Sequence, residues 1–235
     1  LTEMGANIEA SNGMLPISLS PALFQKQYTY ELPVASAQVK SSILLAGLAA
    51  GVGVEIIEPV QTRDHTERML KHFGANVEIA SKDSKNVIQL SPSNHLQAKD
   101  YTVVGDISSA AFLIVGALIS NSPGLEITNV GMNPSRTGVL EALKKMGANI
   151  EVKNQRLESG EPCADLKVTK SILRGVELSG DIIPNIIDEI PVLSIASAFA
   201  EGETVIRDAA ELRVKESDRL KAVSDGFNSL GVVHK

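Results

Sequence analysis

Hydrophobic and polar positions recur along this chain in similar blocks. Three segments share a helix end, a Gly and an alternating strand, at residues 1–8, 70–77 and 143–150, with 227–232 as a degenerate fourth. Gly at this point is typical of the left-handed residue that ends a helix, and the alternation after it predicts a strand. The copies recur at intervals of roughly 70 to 85 residues, which indicates a structural repeat.

A second recurring segment lies upstream of these copies. It is apolar on nearly every face and is followed by Gly and a short strand. Its copies are residues 38–50, 107–120 and 190–200. Because a helix that is apolar all round must be buried, each repeat is predicted to hold a buried helix, a strand, a second helix ending in Gly, and further strands. The predicted fold class is α/β, with helices inside and sheets outside, and without the Rossmann pattern.

One domain change is expected near residue 104. The polar stretch 92–99 precedes residues 103–106, where a new repeat begins. We therefore expect one domain in residues 1–104 and a second in residues 105–235. A single continuous repeat array is the alternative, and periodicity alone does not separate the two.

The starts of the buried helices carry polar side chains. These are Ser36 and Gln38 around Ala37, then Asp106, Ser108 and Ser109, then Asp188 and Glu189. One interpretation is N-capping, in which Ser or Asp accepts from a free N–H group. The other is ligand binding, and the two are compatible because a helix N-terminus is itself an anion site. Pro191 fits the first turn of its helix.

The starts of the second helices carry arginine at equivalent positions. Arg63 and Arg136 stand at the same distance before Gly74 and Gly147, the glycines that end the two helices. This pattern across two repeats is more informative than a single motif.

In the last repeat the counterpart is the run from Arg213 to Arg219, of sequence Arg-Val-Lys-Glu-Ser-Asp-Arg. On a helix Lys215 and Arg219 would share a face, where like charges repel by a few tenths of a kcal/mol. A bound anion would remove that repulsion. In the alternative, Glu211 and Asp218 offset the basic residues at a solvated helix start.

Composition narrows the classes of function. Aromatic residues make up 3% of the chain, Trp is absent and the net charge is −6, which disfavours nucleic-acid binding, although a cleft can still be locally basic. The longest apolar stretches fall short of the roughly 20 residues that cross a bilayer. We expect no nucleic-acid and no membrane partner.

Cofactor and metal motifs are also missing. Gly51 and Gly53 are followed by Ile56 where a dinucleotide fingerprint needs Gly, and no P-loop is present. Cys163 is the single cysteine, and the four histidines have no metal-ligand spacing. We expect no cofactor, no metal and a reducing, cytoplasmic location.

Three separated matches, in order, resemble the 5-enolpyruvylshikimate-3-phosphate synthase family. The run from Arg213 to Arg219 resembles the family's hallmark segment, Ser36-Ala37-Gln38 its shikimate-phosphate motif, and Asp188 its catalytic aspartate. The resemblance implies an enolpyruvyl transferase-like fold, with two domains of repeated βαβαββ units that close over the substrates. It extends over essentially the whole chain and implies an internal fragment that lacks both ends of the family sequence.

The implied activity transfers the enolpyruvyl group of phosphoenolpyruvate to the 5-hydroxyl of shikimate-3-phosphate, in aromatic amino acid biosynthesis. The resemblance assigns shikimate-3-phosphate to Ser36, Ala37, Gln38, Arg63, Asp188 and Lys215. It assigns phosphoenolpyruvate to Gln38 and Arg219, and catalysis to Asp188 and Glu216. Members are usually monomeric, and the location would be the plastid in a plant.

Two other functions stay open at this point. One is the related transferase that acts on UDP-N-acetylglucosamine, against which the run from Arg213 to Arg219 argues. The other is a non-catalytic phosphate-binding module. Because family motifs at both ends are absent from the sequence, we expect this chain alone to be inactive.

Overall fold

The structure is a computed structural model that describes residues 1–24, 27–82, 85–93, 95–121 and 123–234. Its chain forms two compact units, residues 1–101 and 102–235. Each unit has a hydrophobic core of its own. Asn94, in the polar stretch that suggested a domain change, lies outside the described residues.

Unit 1 begins with a short 3₁₀ turn and a hairpin. The turn Thr2–Met4 ends at Gly5, whose φ of 107° is left-handed. Strands β1 (Asn7–Ser11) and β2 (Met14–Ser20) then pair antiparallel. The predicted order of helical turn, Gly and strand is therefore confirmed in the first copy.

The remainder of unit 1 is one βαβαββ repeat. Its elements are β3 (Gln27–Glu31), α1 (Ala37–Ala50), β4 (Gly53–Glu58), α2 (His65–His72), β5 (Val77–Lys82) and β6 (Lys85–Leu90). The sheet order is β3-β4-β6-β5, with β3 and β4 parallel and the other pairs antiparallel. Helix α1 makes the crossover that parallel neighbours require. Leu44, Ile56 and Leu70 join helices and sheet in the core.

Unit 2 repeats this order. Its elements are α3 (Ile107–Ile119), β7 (Leu125–Gly131), α4 (Gly138–Lys145), β8 (Asn149–Glu158) and β9 (Glu161–Thr169). The sheet order is β7-β9-β8 with antiparallel pairs, and Gly105 forms a parallel bridge to Val130 of β7. Gly105 thus takes the place that β3 has in unit 1, so the βαβαββ pattern recurs.

A further part-repeat completes unit 2. It contains β10 (Glu177–Leu178), α5 (Ile183–Ile186), α6 (Ile190–Ala198), β11 (Val205–Ile206) and α7 (Arg219–Leu230). Strands β10 and β11 are parallel, and α6 packs against α3 and α7. This is again a strand, a buried helix, a strand and a second helix.

The predicted glycine stops are confirmed. Gly74, Gly147 and Gly231 follow α2, α4 and α7 with φ of 89°, 91° and 70°. Only a residue without a Cβ adopts this conformation at little cost. Strands follow the first two, whereas residues 232–234 form no strand.

The prediction that the apolar helices are buried on every face is wrong on one side of each. Helix α3 buries Ile114 and Leu118 but leaves Phe112 64% and Leu113 57% exposed. Val39 of α1 is 41% exposed. The described residues cover one face of these helices, and periodicity could not show which face that is because every face is apolar.

Candidate active site

Helix α1 starts at the Ser36-Ala37-Gln38 segment because Ser36 caps it. Ser36 has extended backbone angles, and its Oγ accepts the N–H of Val39 at 3.3 Å. The capping interpretation is confirmed here. Ser36 and Ala37 are half-buried and Gln38 is exposed. The first turn of the helix thus presents backbone N–H groups and the Gln38 amide at the surface, which suits an anion.

The start of α2 lies beside the first turns of α1. Ser41 Oγ is 2.7 Å from Thr66 Oγ1, in the first turn of α2. Arg63, half-buried, immediately precedes Asp64, the residue before α2. Residues 59–64 join β4 to α2, and we refer to them as the Arg63 connection. Because Arg63 and Thr66 are close in sequence, this contact brings the Arg63 connection next to the helix that carries Ser36.

A buried ionic cluster lies between these two helices. Lys40, in the first turn of α1, is fully buried, and its Nζ is 2.7 Å from Glu67 Oε1 and 3.2 Å from Glu58 Oε2. Glu58 ends β4, and its Oε2 also accepts from the N–H of Thr62 at 3.3 Å and from Thr62 Oγ1 at 2.8 Å. Burial raises the pKa of Glu67, and Lys40 opposes that shift. We refer to Lys40, Glu58 and Glu67 as the Lys40 cluster.

The Lys40 cluster was not predicted from the sequence. The sequence did contain a signal for it, because Lys40 lies inside a helix that was predicted to be buried. A buried lysine is almost always paired, so a charged partner was to be expected. Glu58 and Glu67 are far from Lys40 in sequence, and only the crossover through β4 brings the three together.

In unit 2, Asp188 lies in the link between α5 and α6 and is 29% exposed. Glu189 occupies the N-cap of α6 but makes no capping hydrogen bond with its side chain. Instead, Glu189 accepts from Ser108 Oγ of α3, and Asp188 accepts from Arg219. The capping interpretation is therefore wrong for Glu189, although Pro191 does lie in the first turn.

The same interpretation is correct for Asp106, the N-cap of α3. Its carboxylate accepts from the N–H groups of Ser108 and Ser109, each at 3.3 Å. Arg136, the counterpart of Arg63 in the sequence repeat, donates to Asp106 at 2.5 Å and to Ser108 Oγ at 2.6 Å. Arg136 is thus held by a carboxylate of its own unit.

Lys215 and Arg219 do not share a helix face, so that expectation is wrong. Helix α7 begins only at Arg219, because Asp218 caps it by accepting the N–H of Lys221 at 2.9 Å. Lys215 has extended backbone angles and its Nζ is 2.5 Å from Glu211. Glu211 offsets Lys215, as in the alternative interpretation of this segment.

Arg219 joins the two carboxylates that the resemblance assigns to catalysis. Its Nη1 is 3.1 Å from Asp188 Oδ1, and its Nε and Nη2 donate to the two oxygens of Glu216 at 2.9 and 3.0 Å. The Arg219 guanidinium lowers the pKa of Glu216, and Glu216 in turn raises the pKa of Arg219. Glu216 is therefore an ionised carboxylate at neutral pH in this arrangement. We refer to Asp188, Glu216 and Arg219 as the Arg219 cluster.

The structure thus gathers the predicted residues into two groups, one in each unit. Ser36, Ala37, Gln38 and Arg63 belong to adjoining segments of unit 1, and the Arg219 cluster lies in unit 2 with Lys215 close in sequence. That both groups line one cleft stays a prediction.

Among the described residues no group of three or more His, Cys, Asp or Glu side chains is arranged to hold a metal ion. Within the same residues no helix combines the length and apolarity needed to cross a bilayer.

Comparison with known proteins identifies relatives along the full length of the chain. The family model described as EPSP synthase (3-phosphoshikimate 1-carboxyvinyltransferase) matches residues 1–235. Proteins of that enzyme name from Desulforudis audaxviator and Petrotoga mobilis are 52% and 49% identical to the chain. The matches cover 98% and 99% of this chain but 53% and 54% of the relatives. The chain therefore spans about half the length of the curated relatives it matches.

Solved structures agree with the sequence matches. EPSP synthase from Acinetobacter baumannii superposes with a TM-score of 0.85 at 46% identity, over 97% of this chain and 51% of that one. The enolpyruvyl transferase NikO from Streptomyces tendae has a TM-score of 0.64 at 19% identity, over 88% of this chain and 49% of that one, and shares the fold. The predicted enolpyruvyl transferase-like α/β fold is confirmed. On these matches, the chain belongs to the EPSP synthase (3-phosphoshikimate 1-carboxyvinyltransferase) family.

Proposed function

We propose that this chain supplies part of the active site of an enzyme that transfers the enolpyruvyl group of phosphoenolpyruvate to the 5-hydroxyl of shikimate-3-phosphate, with release of phosphate. The observation that carries the proposal is the Arg219 cluster, in which one guanidinium holds Asp188 and Glu216 within a chain that matches the family throughout. An arginine beside two carboxylates supplies both anion recognition and groups for proton transfer.

The reaction is an addition followed by an elimination. The 5-hydroxyl attacks C2 of phosphoenolpyruvate, C3 gains a proton and the hydroxyl loses one, which gives a tetrahedral intermediate. Loss of a C3 proton and departure of phosphate then restore the double bond. Asp188 is the base for the hydroxyl, and Glu216 exchanges the proton at C3. The surrounding cations stabilise the charge on the carboxylate and phosphate groups.

In this proposal, residues of both groups bind the substrates. Shikimate-3-phosphate is held by Ser36, the Ala37 backbone, Gln38 and Arg63 in unit 1, and by Asp188 and Lys215 in unit 2. The first turn of α1 and the Arg63 connection beside it support the assignment of the substrate's phosphate group to unit 1. Phosphoenolpyruvate is bound by Gln38 and Arg219.

Arg219 has a further consequence for the chemistry. While it holds Glu216, the pKa of that carboxyl is lowered, so the carboxyl is ionised and carries no proton to give. The carboxylate of phosphoenolpyruvate competes for the same guanidinium. When Arg219 turns to the substrate, the pKa of Glu216 rises toward its ordinary value, so Glu216 more readily takes up from solvent the proton that it then gives to C3.

A substrate assay tests the proposed function. The protein is a full-length chimaera in which these 235 residues replace the matched segment of the Desulforudis audaxviator relative. Phosphate release from phosphoenolpyruvate should depend on shikimate-3-phosphate, and UDP-N-acetylglucosamine should not substitute for it. Release with the nucleotide sugar, or binding of shikimate-3-phosphate without any turnover, would support the transferase or the binding-module alternative instead. A cytoplasmic location is part of the same proposal, to be checked by fractionation of cells.

A further inference from the structure

The Lys40 cluster lies directly beneath the proposed phosphate-binding turn. The backbone N–H of Lys40 donates to the carbonyl of Ser36 at 3.1 Å, so Lys40 belongs to the turn that Ser36 begins. Its side chain runs inward, where Nζ is enclosed and contacts Glu58 and Glu67. Lys40 therefore links the turn that carries Ser36 and Gln38 to Glu58 and Glu67.

The other side of the cluster holds the connection from β4 to α2. Glu58 Oε2 contacts Lys40 Nζ at 3.2 Å and accepts two hydrogen bonds from Thr62, the residue before Arg63. Glu67 contacts the same Nζ from α2, on the far side of Arg63 in sequence. The Arg63 connection is thus held on both sides, by Glu58 and by Glu67. Both carboxylates contact the Lys40 amine.

Packing alone does not explain this choice of residues. A buried ion pair gains little over apolar side chains of similar volume, because desolvation offsets the attraction between the charges. The charged cluster does fix a geometry, because an ammonium held by two carboxylates has a defined position.

We propose that Lys40 is a positioning residue that sets the Arg63 connection against the first turn of α1, and thereby the recognition of the phosphate group of shikimate-3-phosphate. This proposal rests on the proposed function. Lys40 itself is buried, so in this proposal it acts through the segments it holds and not by touching the ligand.

A comparison of two ligands tests it. The probes are shikimate-3-phosphate and shikimate, titrated by NMR into the ¹⁵N-labelled 235-residue chain, and the quantity is the ratio of the two dissociation constants. A fold that is only less stable lowers the fraction of competent protein for both probes and leaves their ratio unchanged. Lys40→Met should reduce the preference for the phosphorylated ligand by about tenfold, the scale of one lost charge-assisted hydrogen bond.

Three further variants make the comparison specific. Lys40→Arg keeps the charge and should restore part of the preference. Lys145→Met removes an exposed lysine paired with Glu141 and should leave the preference as it is. Thr62→Val keeps its shape but breaks one link to Glu58, and should lower the preference by about threefold even if Lys40→Met does not fold.

Amide hydrogen exchange without ligand gives an independent reading. Exchange at Thr62 and at position 40 should accelerate in Lys40→Met and not in Lys145→Met. An unchanged ligand ratio and unchanged exchange in both Lys40→Met and Thr62→Val would overturn the positioning role. If the unsubstituted chain does not prefer the phosphorylated ligand, the proposed phosphate assignment fails, and the exchange rates alone then decide whether Lys40 positions the Arg63 connection.

Discussion

At the scale of single residues, Arg219 contacts two carboxylates and lowers the pKa of one of them, Glu216. It forms two hydrogen bonds with Glu216 and one with Asp188, so a single guanidinium contacts both carboxyl groups. The family resemblance had assigned these three residues to the same active site. It could not show that they contact one another, because Asp188 is far from Arg219 along the chain.

Replacing Asp188 by Asn in the full-length chimaera removes the proposed base while keeping its size. Turnover should fall by about 10²-fold or more, the scale of general-base loss, with a smaller change in the affinity for shikimate-3-phosphate. Steady-state kinetics at saturating phosphoenolpyruvate measure both quantities. Asp225→Asn, at an exposed aspartate paired with Lys221, is the matched control. An unchanged kcat in Asp188→Asn would remove this residue from the mechanism.

The pKa of Glu216 gives a second residue-scale prediction. Arg219 lowers this pKa, so the pair stabilises the fold above the ordinary carboxyl pKa and loses that contribution as the pH falls through the lowered value. Arg219→Gln should raise the pKa of Glu216, and ¹³C NMR titration of the side-chain carboxyl measures it. Arg213→Gln is the control, because Arg213 pairs with Asp218 instead. Equal Glu216 titration curves with and without Arg219 would contradict the assignment.

At the scale of elements, the glycine stops and the caps at Ser36 and Asp106 were predictable, whereas the start of α7 and the side-chain partners across elements were not. Ser36 and Gly74 act through groups a few residues away, so their roles follow from local sequence. The run from Arg213 to Arg219 misled because a helix through it is plausible on periodicity, whereas the cap at Asp218 starts the helix later. The Lys40 cluster depends on pairing across α1, β4 and α2, which no local pattern contains.

The cap of α3 can be tested by two substitutions of Asp106. Asp106→Ala removes the acceptor for two N–H groups and the partner of Arg136, and should lower the free energy of unfolding by about 1–2 kcal/mol. Asp106→Asn keeps an acceptor oxygen and should lose less. Urea unfolding measures both. Equal stability of Asp106→Ala and the unsubstituted chain would show that the cap contributes nothing.

The Lys40 cluster has its own stability prediction. Lys40→Met leaves two buried carboxylates without their cation and should lower the free energy of unfolding by about 3–5 kcal/mol. Adding Glu67→Gln removes one of those charges and should recover part of the loss. Lys145→Met should change little, as expected of an exposed pair. Urea unfolding of the three variants checks this order, and a Lys40→Met loss no larger than that of Lys145→Met would contradict it.

At the scale of the whole molecule, the repeat was the most predictable feature. The β3-β4-β6-β5 order of unit 1 recurs in unit 2 with Gly105, β7, β9 and β8, as the repeated sequence blocks imply. The units divide between Tyr101 and Thr102, and their assignment to the two domains of the family stays a prediction. Exposed Phe112 and Leu113 could not be foreseen, since exposure depends on which neighbours a helix meets.

The most direct test of the central claim is phosphate release measured for the 235-residue chain alone and for the full-length chimaera. Catalysis requires groups held together in a closed, largely dry site. We expect no turnover above background from the chain alone, and shikimate-3-phosphate-dependent release from the chimaera that Lys215→Ala abolishes. Turnover by the chain alone above a Lys215→Ala control, or release by the chimaera that does not require shikimate-3-phosphate, would contradict the account.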